Sequence, residues 1–321
     1  MANLSLVLWA VIPPLLFLWF YYRRTTAAPP LLNLLVLFII GAISGFVALD
    51  LELRLETVAN WQQIQHHFFG VVFRQILAIA PIEEGCKLVA VIVPIYYLQR
   101  QYYLRATTVF LFTIAVALGF AAEENWIYLF HGTSSILERS ISTPVHVMFS
   151  APWGYALGIY ISASRRCNRD RNLIFTAWLN SVFCHALVNI FSISGRFPSP
   201  IYLLTYCFLP LLLWLFWRLE KLLRKLQGKH PLLLISGYTS LTRIWQRGLV
   251  LLMLLLGGNS LFGLLILARK ISPLRWELLF ERTIFWFILE KVLLNFWLGI
   301  FAWLIYRYLR KLARRRYSFR S

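Results

Sequence analysis

Four carboxylates, one lysine and two histidines stand in segments otherwise built from apolar residues. They fall in four groups: Glu83-Glu84-Gly-Cys-Lys87, Gly119-Phe120-Ala-Ala-Glu123-Glu124-Asn125, His146, and His185-Ala-Leu-Val-Asn189. On a helix Glu83 and Lys87 are i,i+4 and share a face, so the ammonium can neutralise or hold the first carboxylate. Glu84 is turned about 100° from Glu83, toward a different neighbour. His185 and Asn189 are again i,i+4, an imidazole and an amide on one stripe. Such a set suits the activation of water: a carboxylate takes the proton while histidine and asparagine, or a metal, stabilise the oxyanion. Carboxylates clustered in low dielectric do not all ionise cheaply, so at least one holds a proton or faces a cation.

The elements that must position these groups are membrane spans. Hydrophobic residues make up 60% of the chain and its mean hydropathy is +0.67, more apolar than a soluble domain. They come in runs of about twenty residues, enough to cross ~30 Å of hydrocarbon as a helix. In lipid the backbone must satisfy its own hydrogen bonds, so only helices or closed barrels span, and the runs lack the period-2 alternation of strands. The fold class expected is all-α: a polytopic transmembrane helix bundle of about nine spans, at residues 4–22, 32–50, 69–98, 107–130, 143–163, 173–194, 200–217, 249–268 and 284–306. Span 69–98 is long enough to tilt or to start in the interface. The first run has no basic leader or small-residue cleavage site and reads as a retained span.

Loop charges set the orientation. With the N-terminus outside, twenty-two Lys and Arg fall on the inner side and seven on the outer, the latter including Arg54, Arg139 and Arg196. That asymmetry predicts an N-out/C-in protein, expected in the plasma membrane. The domains expected are a functional bundle over 1–217, a basic cytoplasmic amphipathic loop over 218–248, and an appended pair of spans with a basic tail over 249–321. The net charge of +19 is concentrated at span ends, which fits contact with anionic membrane lipids and argues against nucleic acid. Four cysteines without a CxxC pair offer neither a disulfide framework nor a zinc knuckle.

Several peptidase chemistries are excluded. There is no HExxH helix. The only aspartates, Asp50 and Asp170, lie at membrane borders, which rules out a paired-aspartate protease, and no GxSG carries a serine nucleophile. After His146 come Ser150, Gly154 and Gly158, a small-residue stripe that lets another helix approach closely. At 1.5 Å per residue Glu124 lies roughly 10 Å below the outer end of its span, His185 about 14 Å, His146 about 5 Å and Glu83 about 20 Å. All four fit a cavity open to the outer side if span 69–98 is tilted or starts deeper.

Glu83-Glu84-x-x-Lys87, Phe120-x-x-x-Glu124-Asn125, His146 and His185-x-x-x-Asn189 together resemble the PrsW family of intramembrane proteases, related to the CAAX prenyl endopeptidases and the γ-secretase scaffold subunit. The resemblance covers roughly residues 30–200. In the CAAX branch the second motif ends in histidine where this chain has Glu124, which favours PrsW. The resemblance implies an intramembrane endopeptidase acting on a membrane-anchored protein. It implies that Glu83 and Glu84 carry or position the general base, with Glu124, His146 and His185 as ligands or oxyanion-stabilising groups; Lys87 and Asn189 complete the catalytic set, with Glu123 and Asn125 in support. PrsW proteins are grouped as metalloproteases and the CAAX relatives as metal-free glutamate proteases. Glu124, His146 and His185 would suit zinc with an open fourth position, and a glutamate mechanism would need no cofactor. Two rivals stand beside this reading: a catalytically silent scaffold of the same fold, and an ion-coupled transporter, for which buried Glu and His are equally natural.

The remaining polar residues carry less. His66 and His67 belong to an interface, His131 and His230 to loops, and Arg74 is expected to snorkel outward. Glu290 and Lys291 point about 100° apart and are expected to need separate partners. The orientation is checked by labelling: a cysteine at position 168 should react only after the membrane is permeabilised, and reaction from outside intact cells contradicts N-out.

Overall fold

A computed structural model describes residues 2–25, 28–59, 67–101, 103–162, 171–229, 234–237, 239–271 and 276–317. Among them the chain is all helix, without strands. Cys167, His66, His230 and the basic stretch 165–170 lie outside the described residues. The described part forms two compact units, Met1–His230 and Pro231–Ser321.

In the first unit the helices are α1 (Ala2–Arg24), α2 (Leu31–Ala59), α3 (Phe68–Arg74), α4 (Ala80–Leu98), α5 (Ala106–Phe130), α6 (Ile136–Ser162), α7 (Arg171–Ser194) and α8 (Phe208–Leu226). A π turn, Gln75–Ile79, joins α3 to α4 without a break. It falls just before Pro81, whose missing N–H and bulky ring disfavour a regular α turn there. A 3₁₀ segment, Ile201–Cys207, leads into α8.

Among the described residues seven helices are long and apolar enough to cross a bilayer: Leu4–Arg24, Leu31–Thr57, Ala106–Phe130, Asn172–Ser194, Ile201–Leu226, Ser240–Ala268 and Arg282–Ala313. The protein is therefore an integral, multi-pass membrane protein. The expected spans 69–98 and 143–163 are present as helices but are not among the seven. α4 carries Glu83, Glu84 and Lys87, while α6 opens with Glu138 and Arg139 and holds His146.

α5 is the central helix. It packs against α1, α2, α4 and α6 and is buried along nearly its whole length, whereas its neighbours turn large apolar side chains outward. Without water to exclude, helices in lipid associate through close packing and polar contacts, so small residues belong at the crossings. A Cβ on Gly119 of α5 would stand 1.8 Å from the Phe38 carbonyl oxygen of α2, and one on Gly41 of α2 would stand 2.2 Å from that of Val116. The two backbones are in direct contact. The stripe after His146 acts likewise against α5, with Gly154 on Thr113 and Gly158 on Ala106.

The α5–α6 connection is short and capped at both ends. Gly132, at φ +63, closes α5 in a Schellman pattern: its N–H donates to the Leu129 carbonyl and that of Thr133 to Tyr128. Ser135 and Glu138 then form a capping box at the start of α6, each side chain accepting from the other's backbone N–H at 3.2 and 3.1 Å. The hairpin register between Glu124 and His146 is fixed by these two caps.

Residues 218–226, within the stretch read as a basic amphipathic loop, form the last turns of α8. Leu219 and Leu223 are buried in the core, and Glu220 accepts a bidentate pair from Arg24 at 2.5 and 2.7 Å. Two charges behave differently from expectation. Arg74 does not snorkel away but pairs with Glu56 of α2. Arg139, read as an outer-loop cation, lies in α6 and is only 7% exposed.

The second unit holds α9 (Ser240–Ile271), α10 (Trp276–Leu279) and α11 (Arg282–Tyr317). α9 and α11 cross where Ser260 donates to the Asn295 carbonyl at 2.7 Å and Gly263 admits the Asn295 side chain. Glu290 and Lys291, expected to need separate partners, pair with each other at 3.1 Å on an exposed face. Their long side chains curl across the 100° between them.

Gly119→Leu should prevent the α2–α5 crossing, because overpacking against backbone cannot relax into a rotamer. Gly85→Ala, with no atom within 4 Å of an added Cβ, should leave stability unchanged or slightly raised. Thermal unfolding of detergent-solubilised protein separates the two.

Candidate active site

The site is assembled by α4, α5, α6 and α7. Lys87 of α4 is completely buried, and its ammonium donates to Glu83 Oε2 at 3.1 Å and Glu84 Oε1 at 2.9 Å. It also lies 3.4 Å from His146 Nδ1 and 4.0 Å from the centre of the Phe120 ring. One cation thus touches both carboxylates of the pair, a histidine from α6 and an aromatic face from α5.

The two glutamates are held differently. Glu84 is fully buried: besides Lys87 on one oxygen, its other oxygen accepts from Ser150 Oγ at 3.0 Å and Trp153 Nε1 at 2.9 Å, both on α6. Its side chain is pinned. Glu83 has Lys87 as its one hydrogen-bond donor among the described residues, and its side chain keeps 11% of its surface open. His185 of α7 reaches toward both, Nε2 lying 3.8 Å from Glu83 Oε2 and Nδ1 3.4 Å from Glu84 Oε1. Its ring stacks on Phe149 at 4.3 Å, and its buried Nδ1 makes no hydrogen bond.

Glu124 of α5 stands on the other side of His146. Its Oε2 is 2.6 Å from His146 Nε2 and 3.0 Å from Arg139 Nη2. Both are contacts of charge and dipole, too poorly aligned to be hydrogen bonds. The His146 and His185 rings are 6.3 Å apart, so Glu83, Glu84, Lys87, Glu124, His146 and His185 converge on one polar centre.

Three expected residues face elsewhere. Asn189 donates to Gln75 of the π turn at 2.9 Å, fastening α7 to the segment before the Glu-Glu pair. Glu123 lies against Gly45 of α2, where a Cβ would meet its Oε2 at 2.3 Å. Asn125 is completely buried and ties helices together, donating to Thr143 Oγ1 at 3.0 Å and accepting from Arg139 Nε at 2.8 Å. A shallow surface depression, lined by Glu52, Leu55, Glu56, Arg74, Ala78 and Ile79, lies beside the π turn before Glu83. Sequence reasoning missed Trp153, Phe149, Gln75 and Arg139. A signal for two of them existed: 139, 143, 146, 150 and 153 repeat at helical spacing and line one face of α6.

The zinc reading can be tested on the donors. Glu124 and His146 turn toward each other, His185 faces the Glu83/Glu84 pair, and the Lys87 ammonium stands between His146 and that pair. Among the described residues no three His, Cys, Asp or Glu side chains form a group that could hold a metal ion. The trio does not fit a zinc centre as placed.

Known proteins bear on this geometry. The chain is 26% identical over 192 residues to Protease PrsW of Clostridioides difficile (strain 630), an alignment covering 58% of this chain and 78% of that relative. No solved structure matches. The sequence model described as PrsW family intramembrane metalloprotease matches residues 29–215, more than half of the chain and every converging residue. A chain with this match and this buried polar centre belongs to the PrsW family of intramembrane proteases.

Proposed function

We propose that this protease hydrolyses a membrane-anchored protein near the outer face of the plasma membrane, with Glu83 as the general base. The observation that carries the assignment is the unequal tethering of the two glutamates. Glu84 is locked by Lys87, Ser150 and Trp153, whereas Glu83 retains an oxygen without a donor and some open surface. A base must have a free lone pair within reach of its proton. Glu83 takes a proton from water, the oxygen attacks the scissile carbonyl carbon, and Glu83 returns the proton to the leaving amine. The His185 N–H and the Lys87 charge stabilise the tetrahedral oxyanion, while His146 stands between Glu124 and Lys87 with both ring nitrogens engaged. Asn189 acts indirectly, through Gln75 and the π turn.

The topology proposed keeps nine spans, N-out and C-in, with α3–α4 and α6 as the polar pair shielded by their neighbours. Taking Arg139 out of the outer-loop count strengthens the charge bias. Residues 249–321 are proposed as an appended two-span membrane region with a basic cytoplasmic tail.

Cleavage of a tagged single-span reporter that the wild-type protein cuts tests the chemistry. Glu83→Gln should lower turnover by ~10²–10⁴ while the protein stays folded. Glu84→Gln should instead destabilise, by roughly 3–5 kcal/mol, since it breaks a buried ion pair whose cation stays buried. His185→Ala should abolish turnover. If all three variants cleave normally at wild-type protein levels, these residues do not carry the cleavage; the protease reading of this centre is then abandoned in favour of the scaffold.

Chelation addresses the metal separately. Activity of the purified protein should be indifferent to a strong chelator; loss that zinc restores would overturn the metal-free mechanism and leave the protease reading intact.

A further inference from the structure

We propose that Arg139 is a positioning residue of this hydrolytic site, acting through Glu124 on His146. The inference rests on the protease reading above.

Arg139 has no place among the motif residues and stands where a loop cation would. Its guanidinium is nevertheless buried and held by three residues of α5. Nε donates to Asn125 Oδ1 at 2.8 Å, Nη2 lies 3.0 Å from Glu124 Oε2, and Cζ sits 4.5 Å over the Tyr128 ring. An isolated helix-end arginine would extend to the interface; this one is turned inward by the capping box that fixes the first turn of α6. Thr143, four residues on, closes the other side by donating to the Arg139 carbonyl and accepting from Asn125.

The consequence lies at one atom. Glu124 Oε2 is shared between the Arg139 guanidinium at 3.0 Å and His146 Nε2 at 2.6 Å. The far side of that imidazole faces Lys87, and through it the Glu83/Glu84 pair. A carboxylate between a guanidinium and an imidazole is held in place by attraction to the fixed charge, and its own negative charge keeps the imidazole beside it. Without Arg139, Glu124 is free to rotate or to approach Lys87, and His146 loses the partner that aims it. Groups that orient a site residue through one intermediate typically change activity about 10–100-fold when lost.

A purely structural role predicts something different, because Arg139 has two polar partners. The tie to Asn125 holds helices together; the contact with Glu124 serves the site. Arg139→Gln can keep a hydrogen bond to Asn125 and loses the charge. Arg139→Lys keeps the charge near Glu124 and loses the planar fork. Steady-state cleavage of the single-span reporter by each purified variant, scored per folded molecule from its thermal unfolding, decides. The expected result is a fall in kcat of about 10–100-fold for Arg139→Gln with KM little changed, and partial recovery in Arg139→Lys. Three results would overturn the proposal: an unchanged kcat per folded molecule in Arg139→Gln, an Arg139→Gln variant more active than Arg139→Lys, or failure of both to fold. Glu83→Gln run alongside separates this from the protease reading. If Glu83→Gln retains full activity the reading itself fails; if only the arginine variants behave as wild type, the reading stands and the positioning role falls.

Discussion

Everything in the first unit is arranged around a fully buried ammonium. Lys87 has no route to water, and an unpaired charge in such a place would be prohibitively costly. Its position is tolerable because two carboxylates lie within 3.1 Å, the Phe120 ring presents its face, and an imidazole nitrogen approaches from α6. These partners come from three helices, so the charge makes their mutual placement a condition of folding. It also sorts the glutamates. Lys87 contacts both, but Ser150 and Trp153 add donors only to Glu84. One carboxylate is pinned and the other is held by a single donor among the described residues. Two adjacent residues of identical type differ in surroundings because of the face each presents: Glu84 meets Ser150 and Trp153 of α6, while Glu83 keeps part of its side chain open.

Holding such a centre inside a bilayer needs a tight frame. The frame is α5, enclosed on nearly every side, with its backbone in direct contact with α2 at the Gly41–Gly119 crossing. Close backbone contact leaves no freedom to slide, and one helical turn beyond that crossing stand Glu123 and Glu124. The Schellman closure at Gly132 and the capping box at Ser135 then carry the register into α6 within a few residues. The position of His146 against Glu124 thus follows from local backbone chemistry as much as from the ion contact itself.

Much of this was legible in the sequence, for a definite reason. A charge within an apolar run is so costly that its presence is informative, and Glu83, Glu84, Lys87, Glu124, His146 and His185 were all marked by that rule. Helical periodicity correctly put Glu83 and Lys87 on one face. What it could not supply was the neighbour each face meets. Asn189 shares a stripe with His185, yet one helical turn further along that stripe meets Gln75 of a π turn, and the π turn has no simple sequence signature beyond Pro81. Glu123 and Asn125 flank Glu124 at 100° to either side and so face α2 and Arg139. Arg139 itself was misread because a cation near the end of an apolar run has the same appearance whether it enters water or turns inward. The difference lies in the Ser135–Glu138 cap, a signal of direction that hydropathy ignores.

The same polarity that makes α4 and α6 functional makes them poor membrane helices on their own. Each full charge near a span centre disfavours insertion by ~2.5–3.5 kcal/mol, and α4 brings three within five residues. Among the partners it has here, Lys87 neutralises part of that burden within α4, but Ser150, Trp153 and His146 are on α6 and His185 is on α7. α4 facing lipid would expose Glu84 without its α6 donors. α1, α2 and α7, by contrast, are long and apolar enough to cross a membrane by length and composition. α4 therefore depends on α5 and α6, whose capped hairpin sets Glu124 beside Arg139. Lys87 has its full set of partners only when α4, α5 and α6 are together, so the polar centre and the packing of the membrane domain rest on the same contacts.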